Sequence, residues 1–312
     1  MTIDDIKRNR DNKEKVNLTG YVPSFDFTTS ATGTKSIVGK ILADNDEIGF
    51  RIWTGNTYDK VKANNLGAGV YEIYATVNVY NGQKTLILDQ VDYADNQDVT
   101  AYLSSVYNPK EWWKRATDHA GRLTSEGKAV FKEIMQAKDV DEEKANLSCF
   151  LKSVAAKSHH DAVIHGLLAH SVKVTDIVVS LVDNYPNIKS RVNMDVLIIG
   201  ALLHDIGKLI EYEGLGMSEV GKWCSHLSLS VELLATHRDF IAEKLGGEAY
   251  YRLQSVVTQH HGEYGDRPRT YEAYLVHKAD MLEATLTGLN ESIEVDLDEV
   301  TVRDGSMMLK LH

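Results

Sequence analysis

His204 and Asp205 stand side by side in Val196 to Lys208, V-L-I-I-G-A-L-L-H-D-I-G-K. An imidazole next to a carboxylate is a first shell for a divalent cation, and Lys208 follows closely enough to neutralise an anion held by that cation. The dipeptide alone carries little weight, because His160-Asp161 repeats it and context must decide. Here the context is an apolar run that reads as a buried helix, broken at Gly207, where an unpaired charge would be very costly. A buried Asp beside a buried His asks for a cation or an ion-pair partner.

The same residue types recur downstream and upstream of that pair. His170 lies in V-I-H-G-L-L-A-H-S-V-K-V, His226 in K-W-C-S-H-L-S-L-S-V-E-L-L, His260 and His261 in V-V-T-Q-H-H-G-E, and Asp280 in L-V-H-K-A-D-M-L-E-A. A single helix histidine is more often a hydrogen-bonded core or surface residue than a ligand. Five apolar helices that each bring a His or Asp to a common core point to a metal. Just beyond His261, Arg267 and Arg269 in G-D-R-P-R-T offer guanidinium forks that match phosphate oxygens, with a solvated loop charge as the competing reading.

To hold these groups the chain must supply a helical domain from His159 onward. Its punctuation falls at Asn184-Tyr185-Pro186, Gly214 to Gly216, Gly246-Gly247 and Gly265-Asp266. Residues 96–158 read as a helical bridge. Residues 16–95 change period to five short strand-like runs separated by turn signals such as Asn81-Gly82, the pattern of a small β-barrel of the OB type. Trp53, Tyr58, Tyr74 and Tyr80 there could stack bases of a single strand, or be barrel core and ordinary surface aromatics. Residues 1–15 read as a polar, flexible or weakly helical lead. Residues 291–312 form an acidic tail whose alternating segments suit an edge hairpin or a partner contact.

Composition sets the outer limits. A chain of 312 residues with 43% hydrophobic content can bury two cores, and a formal net charge of -11 shows no basic footprint for broad, non-specific nucleic-acid binding. Cys149 and Cys224 are too few for a disulfide scaffold, the opening M-T-I-D-D-I-K-R-N-R has no apolar signal region, and no run is long enough for a membrane span. A reduced, cytoplasmic enzyme is expected.

The order His, His-Asp, distant Asp resembles the HD-domain metal phosphohydrolases, and the added His226 and His260-His261 resemble their two-metal members. Over about Val16 to Glu283 the runs A-A-K-S-H-H-D-A-V-I-H-G-L-L-A-H, L-L-H-D-I-G-K, S-E-V-G-K-W-C-S-H, H-H-G-E and H-K-A-D-M-L-E-A are similar in content and order to the YhaM-type 3′-5′ exoribonucleases. The resemblance implies a multidomain α+β chain, an N-terminal OB-like barrel followed by an all-α HD domain at 159–290. It implies that His170, His204, Asp205 and Asp280 hold one metal, and that Asp205 bridges to a second held by His226 and by His260 or His261. Asp205 and Lys208 would then be catalytic, with Lys208 at the scissile phosphate or its leaving group. Lys157 and His160 would contact phosphate, and Trp53, Arg267 and Arg269 would guide the strand. Two divalent ions are implied, manganese foremost, with iron, cobalt, zinc and nickel compatible with the same donors. His160-Asp161 and His165 depart from the family pattern and bear on substrate contacts more than on the metals.

Three functions follow in order of preference. The first is a phosphodiesterase that removes nucleotides from the 3′ end of single-stranded RNA, or DNA, with a metal-activated hydroxide. The second keeps that chemistry on cyclic or free nucleotides. The third is a non-catalytic nucleic-acid-binding protein. A homo-oligomer is compatible with each.

Overall fold

The computed structural model describes residues 1–43, 46–80, 82–97, 99, 102–103, 106–137, 146–156, 163–262, 265–294, 299–301 and 307–309. They form two units, 1–106 with 213–217, and 107–212 with 218–312.

The first unit is β-rich. It contains β1 (Lys15–Val22), β2 (Asp26–Thr29), β3 (Lys35–Ala43), β4 (Asp46–Trp53), β5 (Gly69–Tyr80) and β6 (Gln83–Tyr93), with helices α1 (Ile3–Asn9) and α2 (Asn56–Ala63). Alternation places Ile37, Ile41, Ile48, Phe50, Ile52, Ile73, Val77 and Leu86 in one core. β1 pairs antiparallel with β5 from Lys15↔Thr76 to Val22↔Gly69, and also meets β3 at Tyr21↔Leu42. β3 pairs antiparallel with β4, β4 runs parallel to β6 at Phe50↔Leu86, and β6 returns antiparallel to β5. Gly20 permits the β1 and β3 approach, since a Cβ there would lie 2.4 Å from Ile41 Cγ2.

Of the two readings of the segment 1–15, the structure has the helical one over α1: Thr2 caps it through Asp5 N at 3.1 Å, and Ile3 and Ile6 enter the β core. One expectation needs correction here. There are six strands in place of five, because β2 is exposed along its whole length and so has no alternation to betray it.

Tyr21 binds the segment 213–217 to this unit. Its hydroxyl donates to Glu213 O at 3.0 Å and accepts from Leu215 N at 2.8 Å and Gly216 N at 3.1 Å, and burial pushes the phenol up to about 12. Tyr21→Phe leaves these backbone groups without their partner and should cost about 1–3 kcal/mol, read as a lower urea midpoint at unchanged slope.

The second unit is helical. Its elements are α3 (Pro109–Ala120), α4 (Ser125–Gln136), α5 (Asn146–Lys152), α6 (Gly166–Asn184), α7 (Pro186–Lys189), α8 (Met194–Leu203), α9 (Lys208–Glu211), α10 (His226–Thr236), α11 (Arg238–Leu245), α12 (Gly247–Gln259) and α13 (Tyr271–Glu294). After α9 the chain enters a small hairpin, β7 (Tyr212–Glu213) with β8 (Gly216–Met217), whose residues 213–217 belong to the first unit, and in the second unit β9 (Glu299–Thr301) pairs antiparallel with β10 (Met307–Leu309). The segment read as a tail from 291 therefore begins inside α13.

α8 organises the helical core. Asn193 caps it by accepting from Asp195 N and Val196 N, and every residue from Asp195 to Leu203 is buried. That fits a helix that is apolar around its circumference. Its first turn is tied to α4 by Asp195, which accepts from Thr124 N at 2.8 Å and from the Thr124 hydroxyl. Residues of α3, α4 and α5, including Ala116, Ile134 and Phe150, share this core with α6, α8, α12 and α13. No helix among the described residues is long and apolar enough to cross a membrane.

Candidate metal centre

α8 ends at Leu203 and the chain turns tightly through His204 to Gly207, which sets the Asp205 carboxylate between two groups of imidazoles. Its Oδ2 lies 3.5 Å from His170 Nε2 and 3.4 Å from His204 Nε2. Its Oδ1 lies 3.4 Å from both His226 Nε2 and His260 Nε2. Asp280 Oδ1, from α13, sits 3.1 Å from His170 Nε2 and 3.9 Å from His204 Nε2. His261 Nε2 is 2.9 Å from His226 Nε2. The donor atoms of Asp205, His226, His260 and His261 all lie within 4.8 Å of one another, as do those of His170, His204 and Asp205, and those of His204, His260 and Asp280. The seven residues expected as ligands from the sequence thus converge, with His260 and His261 both in the second group.

The donors fit a divalent cation. His204 Nδ1 faces Ala201 O at 2.8 Å and His260 Nδ1 faces Val257 O at 3.1 Å, so the ring proton belongs on Nδ1 and the Nε2 lone pair points inward. His170 Nδ1 faces Glu283 Oε2 at 2.6 Å and His226 Nδ1 faces Glu211 Oε2 at 3.0 Å, so each carboxylate accepts the Nδ1 proton and turns Nε2 inward. Asp205 Oδ1 and His260 Nε2 are buried and have no hydrogen-bond partner among the described residues. Orphaned acceptors of this kind are rare in protein interiors, and a cation satisfies both. Imidazole and carboxylate donors suit several first-row metals.

Electrostatics point the same way. Burial resists charge on His170, yet the Asp280 and Glu283 carboxylates beside it raise its pKa to about 10. A field that holds a proton this firmly will also attract a cation. Against burial, Lys208 and His204 keep Asp205 far below the ordinary carboxylate range. Burial lowers His260, and burial together with the neighbouring His260 brings His261 down to about 4, so both rings offer free lone pairs at neutral pH. The centre opens at one edge: the side chains of Asp280 and His226 are 15% and 13% exposed, whereas His204 and His260 are fully covered.

Lys208 is at this centre, its Nζ 2.6 Å from Asp205 Oδ2. Arg267 and Arg269 stay exposed on the loop between α12 and α13, where Arg269 N donates to Gln259 Oε1 at 2.9 Å. Trp53 lies in the β-rich unit, 47% exposed with the Arg51 guanidinium 4.9 Å above its ring. Tyr74 and Tyr80 are exposed as well, and Tyr58 is partly buried, packed on the β core and edge-on to the exposed Phe27. Lys157 and His160 lie outside the described residues. His165 precedes α6 in a left-handed conformation, φ 67°, with Nδ1 against Leu151 O. Sequence reasoning missed Glu211, Glu283 and His277, the last bonded through Nδ1 to His260 O at 2.6 Å.

Residues 167–285 match the family model for the HD domain, so the helical unit carries that domain. Along most of its length the chain is similar to proteins named 3′-5′ exoribonuclease YhaM. The protein of that name from Listeria monocytogenes serotype 4b (strain CLIP80459) is 25% identical over 293 residues, covering 90% of this chain and 88% of the relative. The one from Listeria innocua serovar 6a is 26% identical, covering 85% and 84%. The one from Geobacillus sp. (strain WCH70) is 34% identical over 149 residues, covering 45% and 43%.

Proposed function

We propose that this chain is a metal-dependent phosphodiesterase, a 3′-5′ exoribonuclease acting on single-stranded RNA. The observation that carries the reading is Asp205, which turns one carboxylate oxygen to His170 and His204 and the other to His226 and His260. With a carboxylate so flanked, His170, His204, Asp205 and Asp280 would hold one cation, and Asp205, His226, His260 and His261 would hold a second. Bound divalent ions supply Lewis acidity that activates water and neutralises charge on the phosphoryl oxygens. Manganese is the ion we favour, on the resemblance to the exoribonuclease family.

The protein's own residues do the rest. Hydrogen bonds from the Nδ1 atoms fix the imidazole planes before substrate arrives, and the buried floor keeps bulk water away. The scissile phosphate would approach from the edge formed by Asp280, His226 and His261. Lys208, held beside Asp205, is the nearby cation suited to the phosphate or its leaving oxygen. Arg267, Arg269, Lys157 and His160 would steer the backbone.

The β-rich unit is read as an OB-like barrel that holds the strand, and residues 159–290 as the catalytic domain. Supporting this is the cycle of pairings β1-β3-β4-β6-β5-β1 with β4 and β6 parallel. Trp53, Tyr74 and Tyr80 supply exposed aromatic faces. Trp53→Ala should remove one stacked base, about 1–3 kcal/mol, appearing as a higher KM for RNA with kcat on a saturating substrate nearly unchanged.

The deciding experiment uses 5′-labelled single-stranded RNA with manganese and resolves products on a sequencing gel. A ladder that shortens from the 3′ end supports the exoribonuclease. Intact RNA beside hydrolysis of a cyclic or free nucleotide would overturn it.

A further inference from the structure

Each half of the centre contains one histidine that leans on a buried carboxylate, while His204 and His260 lean on backbone carbonyls. In the first half it is His170, 2.6 Å from Glu283. Glu283 is itself fixed, accepting from Thr287 Oγ1 at 2.7 Å and pairing with Lys173 Nζ at 3.1 Å. In the second half it is His226, 3.0 Å from Glu211, whose backbone carbonyl accepts from Ser218 N at 3.0 Å. The two carboxylates are nearly covered from solvent and stand on different helices, α13 and α9.

We propose that Glu283 and Glu211 are positioning residues, one for each ion, that set the two metal affinities separately. The proposal rests on the two-metal reading above. A carboxylate that accepts the Nδ1 proton locks the ring with Nε2 inward. It also raises the basicity of that nitrogen more than a neutral carbonyl can. Because Glu283 touches no residue of the second group and Glu211 none of the first in the hydrogen bonds given above, each should tune its own ion. The backbone-supported His204 and His260 are then common anchors, and the carboxylate-supported His170 and His226 are where the two affinities diverge.

Metal content tests this without recourse to activity. Wild type, Glu283→Gln and Glu211→Gln are equilibrated by dialysis against graded MnCl2, and bound manganese per chain is measured by elemental analysis. Wild type should take up two ions. Each variant should keep one at wild-type affinity and bind the other about 10–100-fold more weakly. Glu→Leu at either position should weaken that same ion further, because Gln retains an acceptor oxygen and Leu does not. Metal-free melts of the Gln variants are run beside these titrations, so that any stability lost with the Glu283 charge next to His170 and Lys173 is read separately from the selective loss of one ion.

A measurement on the unaltered protein covers the case in which a variant fails to fold. In Zn2+-loaded wild type, long-range 15N NMR correlations should show His170 and His226 protonated at Nδ1 and ligated through Nε2. Ligation through Nδ1 at either ring overturns the proposal. So do two unchanged affinities, or equal loss of both ions in each single variant. Fewer than two ions on wild type would instead fail the two-metal reading, and the proposal with it.

Discussion

Asp205→Asn should abolish turnover while leaving the chain folded. The change is isosteric, so the turn after α8 and its packing are retained. What is lost is the negative charge that faces four imidazoles and the Lys208 ammonium at once. Removing a single electrostatic stabiliser from an active site costs about 10²–10³-fold in kcat, and Asp205 serves both halves of the centre, so a fall of at least about 10³-fold is expected. Bound manganese should drop for both ions together, in contrast to the selective losses expected at Glu211 and Glu283. Single-turnover assays on 5′-labelled RNA, run beside elemental analysis and a thermal melt, check the three parts of this result. Two bound ions with full activity in the variant would remove Asp205 from the bridging role.

The legible part of this molecule follows from what a sequence can encode locally. α8 is readable because its apolar run is uninterrupted and Asn193 precedes it as a cap. The candidate donors at His170, His204, Asp205, His226, His260, His261 and Asp280 are readable because imidazoles and carboxylates are out of place in such helices. The supporting acids are harder. Glu283 is three residues after Asp280 on α13, so the two share a helix face, and that i,i+3 relation was the available signal. Glu211 offered none: it sits in a helix of one turn, and its proximity to His226 is made by the long excursion from α9 to α10. α1 is similar, since two isoleucines in a seven-residue helix do not establish a period. Distance in sequence hides a contact more effectively than residue type does.

Gly207→Ala should be strongly damaging although Gly207 is not itself a donor. Gly207 has ordinary right-handed torsions, φ -62° and ψ -15°, so alanine is not excluded by backbone conformation. It is excluded by contact. A Cβ at this position would stand 2.1 Å from His226 O, 2.6 Å from Ser230 N and 2.8 Å from Ser230 Oγ. The two nearest are backbone atoms of α10, so no rotamer change relieves the overlap and the first turn of that helix must move. The hydrogen bond from Gly207 N to Ser230 Oγ, 2.9 Å, ties the same two segments and would be strained with it. Overpacking of this kind costs about 1–3 kcal/mol, occasionally more, which a thermal melt will read as a lowered Tm. The functional loss should exceed what that destabilisation explains, because the displaced residue is His226. The ion held by His226, His260 and His261 should weaken while the one at His170 and Asp280 persists. A variant that melts early yet binds both ions normally would show that the glycine serves packing alone. Selective loss of one ion would show that the close approach of α10 to the turn after α8 is what assembles the second half of the centre.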